Sequence, residues 1–141
     1  MARAPDRLLG YPVVLRAALL FLILAACGPT RFYEGPRLPS DEVALLIVEG
    51  GDIDESRKFI ARFTRFDTLP LRNPPKRCEV LPGEHTIEIA WMLQTLAPGP
   101  KKAWLRTAMS TETIPFRAEE GRTYRLVWGG ERPALRAEAS E

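Results

Sequence analysis

Few side chains in this sequence combine a reactive type with a spacing that could support catalysis. His85 is the only histidine, so a nucleophile–histidine–carboxylate set would have to use it. It directly follows the turn signal Leu81-Pro82-Gly83-Glu84 and falls on the core-facing side of an alternating strand. This position favours a hydrogen bond to a neighbouring strand or to the region of Tyr124, with catalytic and metal-binding roles as alternatives. We predict no catalytic residue, no cofactor and no metal site.

Two kinds of charged cluster could bind ions or anionic surfaces. The segment 49–55 holds four carboxylates in a glycine-bearing loop, but it lacks the glycine and terminal glutamate spacing of an EF-hand calcium loop. The basic pairs Lys76-Arg77 and Lys101-Lys102 could each meet lipid headgroups or anionic envelope polymers. A single pair falls short of the cluster of about four basic residues typical of lipid recognition. Solvated loops and turns are therefore the favoured interpretation of both.

Aromatic residues supply the other binding candidates. Trp91, Trp104 and Trp128 lie on three predicted strands, where alternating aromatic residues normally form core. The alternative is a stacked carbohydrate-binding platform, which requires all three to be exposed on one face. Tyr124 follows a corner at Gly121, and we expect it to act as a tyrosine corner with its hydroxyl bonded to upstream backbone.

Cys27 ends a segment with the layout of an export signal: basic residues, an apolar run and small residues before the break. The uncharged part, Ala17–Ala26, would make a helix of about 15 Å. That is too short to cross a hydrocarbon core of roughly 30 Å. Extending the helix backward places Arg16 in the bilayer, at a cost of a few kcal/mol. A cleaved leader is favoured over a transmembrane anchor, and ordinary secretory cleavage with a free Cys27 is the third possibility.

The ending Leu24-Ala25-Ala26-Cys27 resembles the processing box (lipobox) of a bacterial lipoprotein. The resemblance implies a signal peptide, a diacylglycerol thioether on Cys27 and acylation, as with palmitate, of the amine that cleavage exposes. Two or more chains at about 0.8 kcal/mol per buried methylene make a stable bilayer anchor. Gly28, rather than aspartate, follows the cysteine, and by the family's sorting pattern this favours the periplasmic face of the outer membrane over the inner membrane.

The positive charge of the chain belongs to the leader. The whole sequence has 20 basic and 18 acidic residues, of which the leader holds three and one, so 17 of each remain after it. A neutral mature chain gives no support to nucleic-acid binding. With Cys27 lipidated, Cys78 has no partner within the chain and no disulfide is expected. Cys78 is predicted to be a buried small residue at a strand start, with a reactive or intermolecular thiol as the alternative.

Apolar patterning predicts strands throughout the mature chain. Val43–Val48 is apolar on both parities, as in a strand covered on both faces, and His85–Leu93 alternates as a half-buried strand does. Phe59–Phe66 is assigned to a strand, with a helix as the alternative. Three more strands are predicted: Trp104–Met109, Thr113–Ala118 and Thr123–Trp128. The spacing predicts an all-β fold, a small antiparallel β-sandwich of about five to seven strands behind an N-terminal lipoprotein signal helix.

Further motifs extend the resemblance along the chain. They are Tyr33-Glu34-Gly35-Pro36, Glu42-Val43-Ala44, the segment 81–88 and the segment 116–126. Together with the lipobox they resemble a recurring group of small uncharacterised bacterial lipoproteins, which implies a β-sandwich and a lipid anchor and no known activity. Where such proteins often carry Val-Asp-Gly, this chain has Arg65-Phe66-Asp67-Thr68, so the resemblance gives no support for a hairpin there.

We therefore divide the chain into a signal peptide (1–26), a lipidated cysteine with a Pro/Gly tether (27–40), a β-sandwich domain (41–128) and a polar tail (129–141). The expected function is that of a membrane-anchored cell-envelope lipoprotein, a structural or interaction module and not an enzyme. Its expected partners are the lipid bilayer and an envelope protein or glycan. The alternatives are a periplasmic glycan- or peptide-binding module, using an aromatic face or a sheet edge, and, less favoured, an envelope hydrolase.

Overall fold

The computed structural model describes residues 28–138, which form ten β-strands and no helix. The strands are β1 (Thr30–Arg31), β2 (Ala44–Ile47), β3 (Gly51–Asp52), β4 (Arg57–Phe66), β5 (Leu69–Pro70), β6 (Arg77–Val80), β7 (Gly83–Leu96), β8 (Trp104–Ala118), β9 (Thr123–Trp128) and β10 (Pro133–Ala137). Within residues 28–138, no helix is long and apolar enough to span a membrane. The all-β prediction is confirmed, while the predicted signal helix and Cys27 lie outside the described residues.

The strands form two sheets of five strands each. Sheet 1 has the order β1–β6–β2–β9–β10, and sheet 2 has the order β3–β4–β7–β8 with β5 also beside β4. Sheet 2 is antiparallel, but in sheet 1 β1 runs parallel to β6 and β2 runs parallel to β9. The two sheets are consistent with the predicted β-sandwich. The predicted antiparallel pairing holds for sheet 2 but not for all of sheet 1, and the described strands number ten rather than about five to seven. Turn signals reveal hairpins, which are antiparallel, whereas these parallel pairs join segments that are distant in sequence.

The core lies between the two sheets and follows the predicted alternation. Ile87 and Ile89 of β7 are fully buried, and they meet Leu46 of β2 and Val80 of β6 from the opposite sheet. Phe63 of β4 is only 1% exposed and belongs to the same cluster. Because β4 forms an extended ladder with β7, the strand assignment of Phe59–Phe66 is confirmed over the helical alternative.

One continuous strand, β8, replaces the two strands predicted at Trp104–Met109 and Thr113–Ala118. The polar residues between them, 110–112, pair in register with Trp91, Ala90 and Ile89 of β7. The sequence predicted two strands on either side of this polar run, but the long β7 ladder holds the run in the extended conformation. The loop 97–103 closes the β7–β8 hairpin, with the Ala97 amide bonded to the Ala103 carbonyl.

The segments on either side of the predicted domain 41–128 are part of the fold. Residues 28–40 differ from the expected tether because β1 pairs with β6 and Phe32 stacks on Phe66 at 4.8 Å between ring centroids. In the expected polar tail, Pro133–Ala137 forms β10 along the edge of β9. Its apolar residues Pro133 and Leu135 are buried and partly buried, respectively. Their burial stabilises the pairing of this alanine-rich segment with β9.

Turn residues with positive φ fix two of the connections. Gly83 (φ 131°) follows Pro82 in the predicted turn before β7, a conformation that glycine adopts without strain. Asp67 (φ 49°) occupies the left-handed region in the turn between β4 and β5. Phe66 pairs with Leu69 across this turn, so a hairpin is present although Val-Asp-Gly is not. An aspartate substitutes for glycine there, since Asp is among the residues that tolerate this conformation.

Candidate functional site

His85 is held by two hydrogen bonds at the end of the core near the β4–β5 hairpin. Its Nδ1 lies 2.9 Å from Oδ2 of Asp67, and its Nε2 lies 2.6 Å from the carbonyl oxygen of Leu81. Its ring is also flanked by Phe66 and Phe116, with centroids at 5.0 and 5.8 Å. Both contacts are made to acceptor oxygens, so a ring nitrogen that carries a hydrogen donates to the oxygen it faces. The arrangement supports the predicted hydrogen-bonding role, although the partners are turn residues rather than Tyr124.

Asp67 lies in the turn between β4 and β5 and bonds to two residues of β7. This role was not recognised from the sequence. Its backbone amide donates to the Thr86 carbonyl at 2.7 Å, and its Oδ1 accepts from the Thr86 amide at 2.8 Å. With the contact to His85, it ties the β4–β5 turn to the start of β7. The aspartate following a strand was the available signal, since Asp side chains commonly bond backbone in turns.

The three tryptophans do not share a face. Trp91 is 9% exposed in the core and packs edge-on at 5.4 Å against Trp128, which is partly buried beside the core. Trp104 is 39% exposed at the start of β8, and the Lys58 ammonium lies 4.3 Å from its ring centroid. A stacked carbohydrate platform built from all three rings therefore has no common surface here.

Tyr124 has the geometry of a tyrosine corner. Its ring is 8% exposed and contacts Phe116 at 5.6 Å between centroids. Its hydroxyl oxygen accepts the backbone amide of Glu119 at 3.0 Å. The bond spans the turn at Gly121 (φ 68°), where a glycine relieves backbone strain. The residue thus fastens the β8–β9 connection to the core.

Cys78 is fully buried on β6, as predicted for a structural residue. Its Sγ lies 3.8 Å from the Leu46 carbonyl oxygen. Burial raises the pKa of the thiol to about 12, because a thiolate loses its hydration in the core. A thiol that stays protonated is a poor nucleophile, which argues against the reactive alternative.

A buried carboxylate on β6, Glu79, is a polar centre that the sequence did not reveal. Glu79 is 7% exposed on the face of sheet 1 away from the core. The Tyr33 hydroxyl donates to its Oε2 at 3.1 Å, and the Arg37 guanidinium lies 2.7 Å from its Oε1. The hydrogen bond and the charge of Glu79 raise the pKa of Arg37 above its ordinary value. Both partners belong to residues 28–40, so Glu79 fixes this segment over sheet 1.

The acidic segment 49–55 is divided among separate partners. Asp54 accepts from the Ser56 amide and pairs with Arg57 at 2.7 Å, and the Arg57 hydrogen bond lowers the pKa of Asp54 to about 2. Glu49 instead pairs with Arg125 on β9 at 3.2 Å. Among residues 28–138, no three His, Cys, Asp or Glu side chains gather in a way that could hold a metal ion.

The basic pairs noted in the sequence lie in different places. Lys76 and Arg77 are exposed at the start of β6, and Arg77 borders a cleft with Gly28 and Pro29. Lys101 and Lys102 are exposed at the tip of the β7–β8 hairpin.

Compared with known proteins, the chain matches no protein-family model, no curated protein and no solved structure.

Proposed function

We propose that this protein is a lipid-anchored cell-envelope lipoprotein, with Cys27 as the lipidated residue and the all-β domain as a non-catalytic interaction module. The observation that carries the proposal is the lipobox-like ending at Cys27, placed directly before the folded domain. Strand β1 begins at Thr30, three residues beyond that cysteine. Three extended residues reach about 10 Å. A lipid on Cys27 would therefore hold the domain against the bilayer surface, on the periplasmic face of the outer membrane.

The anchor is tested by metabolic labelling of the full chain with palmitate and glycerol in a bacterial host. The parent chain should incorporate both labels and lose residues 1–26, as measured by its mass. Cys27→Ser should incorporate neither label and keep its leader. Cys78→Ser is the matched control, because it also removes one thiol, and it should be labelled like the parent. Labelling of Cys27→Ser, or an unlabelled parent chain, would contradict the proposal.

A second candidate function, peptide binding at a sheet edge, is supported by β8. This strand has 15 residues and pairs only with β7 among the described strands, so its other edge carries free backbone donors and acceptors. Such an edge is a template for adding an extended peptide as another strand. Pro115 is accommodated on β8 because an edge strand tolerates a residue without an amide hydrogen on its open side.

The edge hypothesis is tested with peptides selected from a random display library for binding to residues 28–141. Thr111 has the same parity as Pro115, so its amide points toward the same open side. Thr111→Pro should abolish binding of a strand-forming peptide, whereas Thr111→Val should preserve it. Peptides whose binding is insensitive to both changes would exclude β8 as the docking edge.

A further inference from the structure

The β7–β8 hairpin continues past the core and exposes apolar side chains. Trp91 is the last β7 residue in the buried core, but the β7–β8 pairing continues to Leu96 and Trp104. In this distal part Leu105 is 52% exposed and Met109 is 63% exposed. The hairpin therefore exposes apolar side chains to solvent, and packing of the core does not explain their exposure.

The register of sheet 2 places Met109 on its outer face, together with Arg106 and Trp104, whereas Leu105, paired with Thr95, lies on the opposite face. Directly paired residues of antiparallel strands point to the same side of a sheet. One row crosses β4, β7 and β8 as Ile60, Met92 and Met109. We call the outer surface from this row to the hairpin tip at Lys101-Lys102 the arm face.

Basic residues from distant parts of the sequence surround the apolar row. The next row toward the tip contains Lys58 opposite Gln94 and Arg106. On the other side of the row, Arg62 pairs with Ala90. With Lys101 and Lys102 at the tip, five positive charges border this surface, which reaches the size typical of a site for anionic lipids.

Negative charge is displaced to the margin of the arm face. The rows of β4, β7 and β8 that form it contain no carboxylate among the described residues, and the closest by register is Asp52 on edge strand β3, opposite Lys58. Lys58 instead places its ammonium over the Trp104 ring at 4.3 Å. A tryptophan beside lysine is a combination enriched at membrane–water interfaces.

The chain enters the domain near the same end of the molecule. Gly28 and Arg77 border one cleft, and the preceding Lys76 borders another with Lys58 and Ile60. An anchor attached immediately before Gly28 would therefore bring the bilayer to the Lys58 end of β4.

We propose that the arm face docks on the phosphates and interface of an anionic lipid bilayer. Trp104 and Met109 enter the interfacial region, and Lys101, Lys102 and Arg106 meet the headgroup phosphates. This proposal deepens the proposed function. It rests on that function only for the identity of the membrane that the arm face contacts. The charge and apolar pattern that argue for lipid lie within residues 28–138, which contain both sheets and the core.

The test is sedimentation of residues 28–141, without leader or Cys27, with vesicles of phosphatidylglycerol and of phosphatidylcholine. We expect binding to the anionic vesicles, weakened by salt, and little binding to the neutral ones. Lys101→Ala/Lys102→Ala should weaken binding by roughly 25-fold, since each basic residue contributes a factor of roughly five near an anionic surface. Trp104→Ala should weaken binding and remove the fluorescence blue shift that an interfacial tryptophan shows.

The matched control is Arg117→Ala/Arg136→Ala, which removes two exposed charges away from the arm face. It should bind like the parent, and all variants should share the parent's unfolding midpoint because the replaced side chains are exposed. Equal loss in the control, or no binding of the parent to phosphatidylglycerol, would overturn the proposal. A concentration-dependent dimer that Trp104→Ala dissolves would overturn it too, in favour of a second copy on this surface. The vesicle test uses a chain without Cys27, so a lack of vesicle binding would not contradict lipidation of Cys27. Likewise, a lack of palmitate labelling would not contradict binding of the arm face to vesicles.

Discussion

Cys78 and Glu79 are neighbours on β6 that face opposite sides of sheet 1, and burial affects them differently. The thiol has only the Leu46 carbonyl as a weak partner, whereas the carboxylate has two donors from Tyr33 and Arg37. An isolated buried charge is unfavourable, so the thiol stays neutral and the carboxylate stays paired. Both residues hold structure, one by packing and one by fixing residues 28–40.

The free energy of unfolding should depend on pH because the pKa of the buried Cys78 thiol differs between the folded and the unfolded chain. Below pH 9, its ordinary pKa, Cys78 is protonated in both the folded and the unfolded chain. Between pH 9 and about 12 the unfolded chain releases this proton and the folded chain retains it, so the free energy of unfolding should fall as pH rises. Urea unfolding of the parent and of Cys78→Ala over this range isolates the effect. Parallel pH profiles for the two chains would refute the assignment.

Single-residue roles could be predicted where the role is local. The position of Cys78 at a strand start and of Tyr124 after a glycine corner indicated burial and a backbone bond, and the structure has both. Glu79 gave no such signal, because its partners Tyr33 and Arg37 lie some forty residues earlier in a Pro/Gly-rich segment. An isolated charge in a sequence is normally solvated.

At the level of elements, the edge strands decide where the fold begins and ends. Strand β10 pairs with β9 over five residues and covers part of the core with Pro133 and Leu135. Strand β1 makes only two register pairs with β6, but Phe32 follows it into the core. The domain therefore extends beyond the predicted 41–128 in both directions.

Truncation should show that β10 is structural. A chain ending at Arg132 loses β10 and exposes the β9 edge, and we expect its free energy of unfolding to fall by at least about 2 kcal/mol from lost apolar burial. A chain ending at Glu138 keeps every residue of β10 and should match the parent. Guanidinium unfolding of the two truncated chains gives the comparison. Equal stability would mean that β10 contributes nothing.

Local patterns predicted elements better than they predicted pairing. The alternation at His85–Leu93 correctly indicated β7, and the glycine corners correctly bounded β7 and β9. The polar residues 110–112 led to the prediction of two strands, but they pair with β7 at Trp91 and Ile89 within one continuous strand. Parallel pairing of β2 with β9 has no local signal at all, since neither strand's sequence encodes its direction relative to a distant partner.

At the scale of the whole molecule, residues 28–40 act as a strap over sheet 1 rather than as a spacer. Phe32 contacts Phe63 and Phe66 in the core, and Tyr33 reaches Glu79 on the outer face. The arm face could not be recognised before the fold was known, because its basic residues come from β4, β8 and the intervening hairpin tip.

A chain beginning at Asp41 tests the strap. Loss of Phe32 from the aromatic cluster should lower the free energy of unfolding by about 2–4 kcal/mol relative to a chain beginning at Gly28, since removing a packed phenylalanine typically costs this much or slightly more. Differential scanning calorimetry of both chains measures the change. Unaltered stability would restore the interpretation of 28–40 as a tether.

The parallel pairs of sheet 1 also constrain when this protein can fold. Leu45 of β2 pairs with Thr123 of β9, and Thr30 of β1 pairs with Cys78 of β6. Contacts this distant in sequence make folding slow, because long loops must close before the contacts form. In sheet 1, β2 lies between β6 and β9, so the middle of this sheet is incomplete until β9 has been synthesised. Every strand of sheet 2 precedes β9 in the sequence, so the antiparallel sheet is synthesised in full before the middle of sheet 1 can close.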